Sequence, residues 1–195
     1  MAKVTGPLMS LTASGQLGKS IVFLKWRGIA DVRKWIKPAN PKTADQVAER
    51  NNFKAAVTKY HTLSGNDMGA LREMSKGKPY TGFNQWIKWI RDAFQATITW
   101  VTIKNVGASD ITTSGAKISA TPDASGVLKV LYGTTPGSWT GSVEEQSPGG
   151  DADVAHTITL SGLSKTTEYW YTVEYPLATN KEGKTGWYTF TTTST

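Results

Sequence analysis

The side chains best suited to proton transfer or metal ligation near neutral pH are histidines, and this chain has two, His61 and His156. His61 falls late in a helical pattern beside Tyr60, and His156 opens a strand pattern. Neither has an acidic or second-histidine partner at ligand spacing, so each reads as a surface or satisfied core residue. The acidic pairs Glu144-Glu145 and Asp151/Asp153 flank Ser147-Pro148-Gly149-Gly150. They could ligate calcium weakly through oxygen, but a solvated loop is the simpler reading. No Gly-x-Ser-x-Gly elbow, phosphate loop or dinucleotide fingerprint occurs. The absence of cysteine removes disulfides and thiolate metal sites. No catalytic, cofactor-binding or metal residue is assigned, and a non-enzymatic protein without a cofactor is expected.

The chemistry that does stand out is binding chemistry, in residues 18–41. Apolar and polar residues alternate on both sides of Trp26-Arg27-Gly28, with Ile21 and Phe23 before and Ile29, Val32 and Ile36 after. This predicts a β-hairpin. Lys19, Lys25, Arg27, Arg33, Lys34 and Lys37 are threaded through it against one acid, Asp31. Trp26 and Trp35 add aromatic anchors of the kind that dominate interfaces. Lys19, Lys25, Trp26, Arg27, Arg33, Lys34, Trp35 and Lys37 therefore form the predicted grip on an acidic partner, through steering and charge-assisted hydrogen bonds.

Around this hairpin the 195 residues fall into two patterns. Residues 1–17 are small and polar and read as an arm or first edge strand. After Pro38 and Pro41, a Thr43–Gln46 capping box opens a helix reaching about residue 63. Ser64 can cap a second helix over 67–76, and a third over 82–96 carries Phe83, Trp86, Ile87, Ile90 and Phe94 on one stripe. The period then changes to two, with strands expected near 98–106, 115–121, 127–133, 139–144, 154–160, 167–175 and 186–192. Residues 1–100 hold 16 Lys/Arg and 6 Asp/Glu, and residues 101–195 hold 6 and 9, which together give the net charge of +7. The fold class expected is two domains. The first is α+β, a basic β-hairpin plus three short helices over 18–96, preceded by the arm 1–17. The second, over 97–195, is an all-β immunoglobulin-like sandwich. No apolar run reaches the ~20 residues of a membrane-spanning helix, and no membrane partner is expected.

Two resemblances bear on these halves. Leu163-Ser164-Lys165-Thr166-Thr167-Glu168-Tyr169, followed by Tyr171, Val173 and Tyr175, is similar to the Leu-x-x-x-Thr-x-Tyr corner of fibronectin type III domains. Residues 116–120, 127–133 and 186–192 resemble further strands of that family. The resemblance implies a corner tyrosine bonded back to the backbone. Ala120 stands where a tryptophan is frequent, a gap that Trp100, Trp170 or Trp187 is expected to fill. The first half resembles small structural proteins of tailed phages and prophages. The matching pieces are residues 18–23, Trp26-Arg27-Gly28, Val32-Arg33-Lys34, residues 38–43, Gln46, Arg50, Phe53 and Tyr80-Thr81-Gly82-Phe83-Asn84. This resemblance implies a virion component.

The expected function is a structural virion protein, a capsid decoration or auxiliary protein first and a connector or tail component second. It would be assembled in the host cytoplasm, bind other virion proteins through its basic half and display the sandwich at the virion surface. A homo-oligomer is compatible with this. One alternative is a nucleic-acid-binding protein in which Trp26, Trp35, Trp86 and Trp89 interleave with Lys25, Arg33, Lys34, Lys88 and Arg91. Another is a carbohydrate or host-surface adhesion module, with weak glycan contact through Trp139, Trp170 and Trp187.

Overall fold

The computed structural model describes residues 15–27, 29–37, 39–146, 149–178 and 180–194. The chain divides into two compact units, Met1–Thr43 and Ala44–Thr195. The first contains β1 (Gly15–Leu17), β2 (Ile21–Trp26) and β3 (Ile29–Lys34), an antiparallel sheet in that order. The expected edge strand is thus β1, while the rest of the predicted arm, residues 1–14, lies outside the described residues.

The second unit contains three helices, α1 (Ala44–Tyr60), α2 (Gly65–Met74) and α3 (Gly82–Gln95), followed by nine strands among the described residues. These are β4 (Thr99–Trp100), β5 (Ile103–Ser109), β6 (Gly115–Pro122), β7 (Lys129–Gly133), β8 (Gly141–Glu144), β9 (His156–Ser161), β10 (Glu168–Ala178), β11 (Lys181–Lys184) and β12 (Tyr188–Thr191). One sheet runs β5-β6-β9. The other runs β4-β11-β10-β7-β8, with β12 also paired to β10.

Alternation drives the sandwich. In β9, His156, Ile158 and Leu160 are buried while Thr157, Thr159 and Ser161 face out. Ile118, Leu128, Val130, Ile158, Leu160 and Val173 fill the centre beside stacked aromatic pairs, Tyr171 on Tyr188 at 5.3 Å and Tyr169 on Phe190 at 5.7 Å. The Tyr169 hydroxyl accepts the Ser164 N–H at 3.0 Å, so the tyrosine corner forms as the resemblance implies. No tryptophan fills the space beside Ala120. Trp100 packs in the helical cluster, and tyrosines and Phe190 supply the sandwich's aromatic volume.

The helices do not form a unit with the hairpin, as the sequence suggested; they are built into the sandwich. The reason is polar and steric. Asp67, 2 % exposed, sits in the first turn of α2 and accepts five hydrogen bonds. Three reach Oδ2, from Ser64 N–H at 3.0 Å, Ser64 Oγ–H at 2.8 Å and Asn105 N–H at 2.8 Å. Two reach Oδ1, from Val106 N–H at 3.1 Å and the Tyr188 hydroxyl at 2.9 Å. A register shift in β5 between Lys104 and Gly107, with Asn105 at φ 55°, turns two successive amides towards this carboxylate. Elsewhere a Cβ on Gly186 would lie 2.2 Å from the Ala70 carbonyl carbon, so only glycine lets the approach to β12 lie against α2. Lys59 of α1 pairs with Asp123 at 2.6 Å.

Trp86, 1 % exposed, centres the helical cluster and donates to the Ala56 carbonyl at 3.1 Å. Ala56 is the buried residue of α1. Val47 and Phe53, although apolar and recurring at helical spacing along it, are 40 % and 55 % exposed. No helix among the described residues is long and apolar enough to cross a membrane.

An asparagine at position 67 would present an NH2 group to N–H or O–H donors on one side whichever way it flips. Asp67→Asn is therefore expected to lose about 3 kcal/mol or more of unfolding free energy, nearly as much as Asp67→Ala, in urea denaturation. Burial first, then the nearby Asp67 charge, holds the Tyr171 and Tyr188 hydroxyls above the ordinary tyrosine pKa. A raised folded-state pKa favours the native state below the unfolded value, and that contribution is lost as pH climbs towards the folded value. Stability should decline above pH ~10, with tyrosinate absorbance rising together with loss of near-ultraviolet dichroism.

Candidate interaction surfaces

In the first unit the turns use positive φ. Trp26 pairs with Ile29, Arg27 in the turn after β2 has φ 50°, and Gly18 and Lys19, at 54° and 56°, turn β1 into β2. The strand register then assigns faces. Lys25 and Lys34 share a face with Ile21, Phe23 and Val32, whereas Arg33 lies with Val22, Leu24 and Ile29 on the other. Lys19 and Arg27 occupy turns at opposite ends of β2, and Lys37 is exposed beyond β3. Trp35 is half-buried, its N–H donating to the Ser20 carbonyl at 2.8 Å. The side chain of Trp26 lies outside the described residues. The predicted cations are thus exposed but do not form one gripping face, because neighbours in a strand project oppositely.

The apolar residues of this sheet are the less expected finding. Among the described residues of the unit, Phe23 is the buried hydrophobic side chain. Leu17, Ile21, Ile29, Val32 and Ile36 are 38–73 % exposed. The charge is equally concentrated. Met1–Thr43 holds eight Lys/Arg and one Asp, and Ala44–Thr195 holds fourteen of each sign, so the first unit carries the whole net charge of +7.

The second unit has a cleft of about 460 Å³ between α2, β5 and β12. It brings together two of the three tryptophans proposed for adhesion, Trp170 and Trp187. The third, Trp139, packs edge-on against Trp187 at 6.2 Å, and all three are half-buried. Two carboxylates line the same cleft, Glu73 from α2 and Glu168 at the start of β10, with Asn66 beside them and no cation. Glu73 pairs with Lys76 at 3.1 Å, and the Glu168 carboxylate has no ion-pair partner among the described residues. Sequence reasoning missed Glu73 and Glu168, since neither belongs to a motif and only the packing of α2 beside β12 unites them.

The two histidines take the two places expected of them, one at the surface and one satisfied in the core, but the acidic partner of the second is not visible in the sequence. His61 is exposed, edge-on to Tyr60. His156 is 3 % exposed and does have an acidic partner, Glu145 Oε2 at 2.8 Å from Nδ1, while Nε2 lies 2.9 Å from the Asp151 carbonyl oxygen. Glu145 stands eleven positions earlier, beyond any local ligand spacing. Glu144 pairs with Lys129 and Asp153 with Lys104, each at 2.9 Å, so these acids are dispersed on separate partners. No group of three or more potential metal ligands occurs among the described residues.

Two sheets sharing one core make the second half of the chain a β-sandwich, and it carries the tyrosine corner that the fibronectin type III resemblance implies. Similar solved structures include the fibronectin type III domain of human collagen XX, at 20 % identity and TM-score 0.34, covering 48 % of this chain and 93 % of that one. A computationally redesigned β-sandwich protein matches at 21 % and 0.36, covering 48 % and 90 %. The sensor domain of the anti-sigma factor RsgI4 of Pseudobacteroides cellulosolvens matches at 23 % and 0.34, covering 49 % and 96 %. No protein-family model matches the sequence, and no curated protein does.

Removing the corner hydroxyl with Tyr169→Phe leaves the Ser164 N–H without its acceptor. A loss of about 1–2 kcal/mol is expected in chemical denaturation, with the spectrum of the native state unchanged.

Proposed function

We propose that this chain is a non-enzymatic interaction protein that docks through Met1–Thr43 and displays the fibronectin type III-like sandwich. Its setting, on this reading, is the surface of a tailed-phage particle, as a capsid decoration or auxiliary protein, with a connector or tail position as the second choice. The observation that carries the docking role is the concentration of net charge and exposed apolar side chains in one small sheet. Among the described residues the three strands bury one large apolar side chain, Phe23, and an exposed apolar set of this kind is what a partner surface covers. The flanking cations supply steering towards an acidic partner. The phage setting rests on the resemblance of the N-terminal half.

Nucleic-acid binding is the second reading, and the same charge favours it. Two of its supports are gone: Trp86 is buried and Trp89 stacks on Trp100 at 6.1 Å, so neither is free to stack on a base. Lys88 is paired with Asp92.

Co-sedimentation separates the two. With particles from the source, the intact protein should migrate stoichiometrically at moderate salt, and Arg27→Glu with Arg33→Glu should abolish migration without changing the thermal midpoint. Unchanged occupancy of the double variant would reject the docking role. Binding to linear duplex DNA that falls with a log–log salt slope of about −0.9 per phosphate neutralised would favour the second reading.

A further inference from the structure

The cleft between α2, β5 and β12 runs along a strand edge rather than over a sheet face. Tyr188, Thr189 and Phe190 are consecutive and all line it, which side chains of one face cannot do at a period of two. The backbone directions agree. The Thr192 N–H points to β10, donating to the Thr167 carbonyl at 3.1 Å, and the Thr193 N–H points away, to the Thr112 carbonyl at 3.2 Å. By alternation, Thr189 and Thr191 direct their N–H and C=O groups away from β10, and among the described residues β12 pairs only with β10. The open segment is framed at both ends, by Thr193 on Thr112 and by the Trp187 N–H on the Ala70 carbonyl at 3.1 Å.

The strand is short and α2 stands across the cleft from it, but its own sequence carries nothing that blocks pairing. Tyr188–Thr191 contains no proline and no charge, and its register with β10 is unbroken. The small residues Gly69, Ala70, Gly107 and Ala108 leave room alongside it.

We propose that the edge of β12 is a docking site for an extended peptide segment of a partner protein bearing a lysine or arginine. The peptide adds as a further strand by pairing with the Thr189 and Thr191 backbone. On the outer face, Glu168 stands opposite Thr191 and Trp170 opposite Thr189. A long cationic side chain from the added strand reaches across these short threonines to the indole face of Trp170 and the Glu168 carboxylate. Glu168, which has no ion-pair partner among the described residues, sets the preferred charge, with Glu73 beside it shared with Lys76. The site lies in the second unit and is independent of the docking role given to the first.

The test uses the full chain and four probes. They are a capped octapeptide of alternating threonine and valine with one central lysine, the same peptide with glutamate there, the lysine peptide N-methylated at alternate residues, and a malto-oligosaccharide. Tryptophan fluorescence gives affinity, and backbone amide shifts of Thr189 and Thr191 give location. The lysine peptide should bind about tenfold or more tightly than the glutamate peptide, shifting both amides. N-methylation should abolish binding. Glu73→Gln with Glu168→Gln should bring the two peptides to similar affinity at an unchanged thermal midpoint. Three results would overturn the proposal: no shift at Thr189 and Thr191 with the lysine peptide, undiminished binding of the N-methylated peptide, or a tryptophan response to the oligosaccharide alone, which would make the cleft a glycan site.

Discussion

One buried carboxylate governs how the larger unit is assembled. Asp67 takes hydrogen bonds from the turn before α2, from two amides of β5 and from the hydroxyl of Tyr188. A charge removed from water costs several kcal/mol unless its lone pairs are fully used, and here both oxygens are. The consequence is geometric. The first turn of α2 is fixed against a bulged strand of one sheet and a core tyrosine of the other. Ala70 then belongs to the sandwich core, while Trp100 of β4 belongs to the helical one. Gly186 and Gly82 complete the arrangement, since a Cβ at either would strike the α2 backbone, at 2.2 Å and 2.6 Å. Helices and sandwich are therefore one body.

That division reorganises the meaning of the charge. The sequence shows a basic half and a mildly acidic half, but the structural boundary at Thr43 leaves the larger unit neutral and places the entire excess on the small sheet. The larger unit has two well-filled cores. The small one buries Phe23 and exposes five large apolar residues among those described. A neutral, self-sufficient body joined to a charged, core-poor sheet is the division of labour expected of a displayed module with an attachment element. On the proposed reading, the cleft along β12 would offer a partner a surface of opposite character, acidic and aromatic.

What the sequence made legible was whatever follows a local period. The three helices, the hairpin and the sandwich strands at 115–122, 129–133 and 168–178 lie close to their expected places, and Tyr169 makes the expected corner bond. Lys181–Lys184 was missed because Lys-Glu-Gly-Lys has no apolar alternation; it is held by backbone pairing with β10 and β4. The domain boundary was misplaced for a related reason. Asp67 reads locally as the acid of a Ser64 capping box, which it is, and nothing in its neighbourhood shows that Asn105, Val106 and Tyr188 converge on it. The eight predicted contact residues of the hairpin are legible as charged and aromatic, but the placing of Lys25 and Lys34 on one face and Arg33 on the other follows only from the register. That Trp170 and Trp187 line one cleft is half legible, since both are candidates for surface adhesion as well as for the gap beside Ala120, but the acids beside them are not legible.

The central claim is that the helices open with the sandwich and not with the hairpin. Native-state hydrogen exchange on the intact protein tests this most directly. One shared opening free energy is expected for slow amides around Leu71 and Trp86 and for those of β6 and β10, with the β2–β3 amides exchanging through a separate, lower-energy opening. Amides of α2 and α3 that exchange together with the hairpin, while β6 and β10 stay protected, would contradict it.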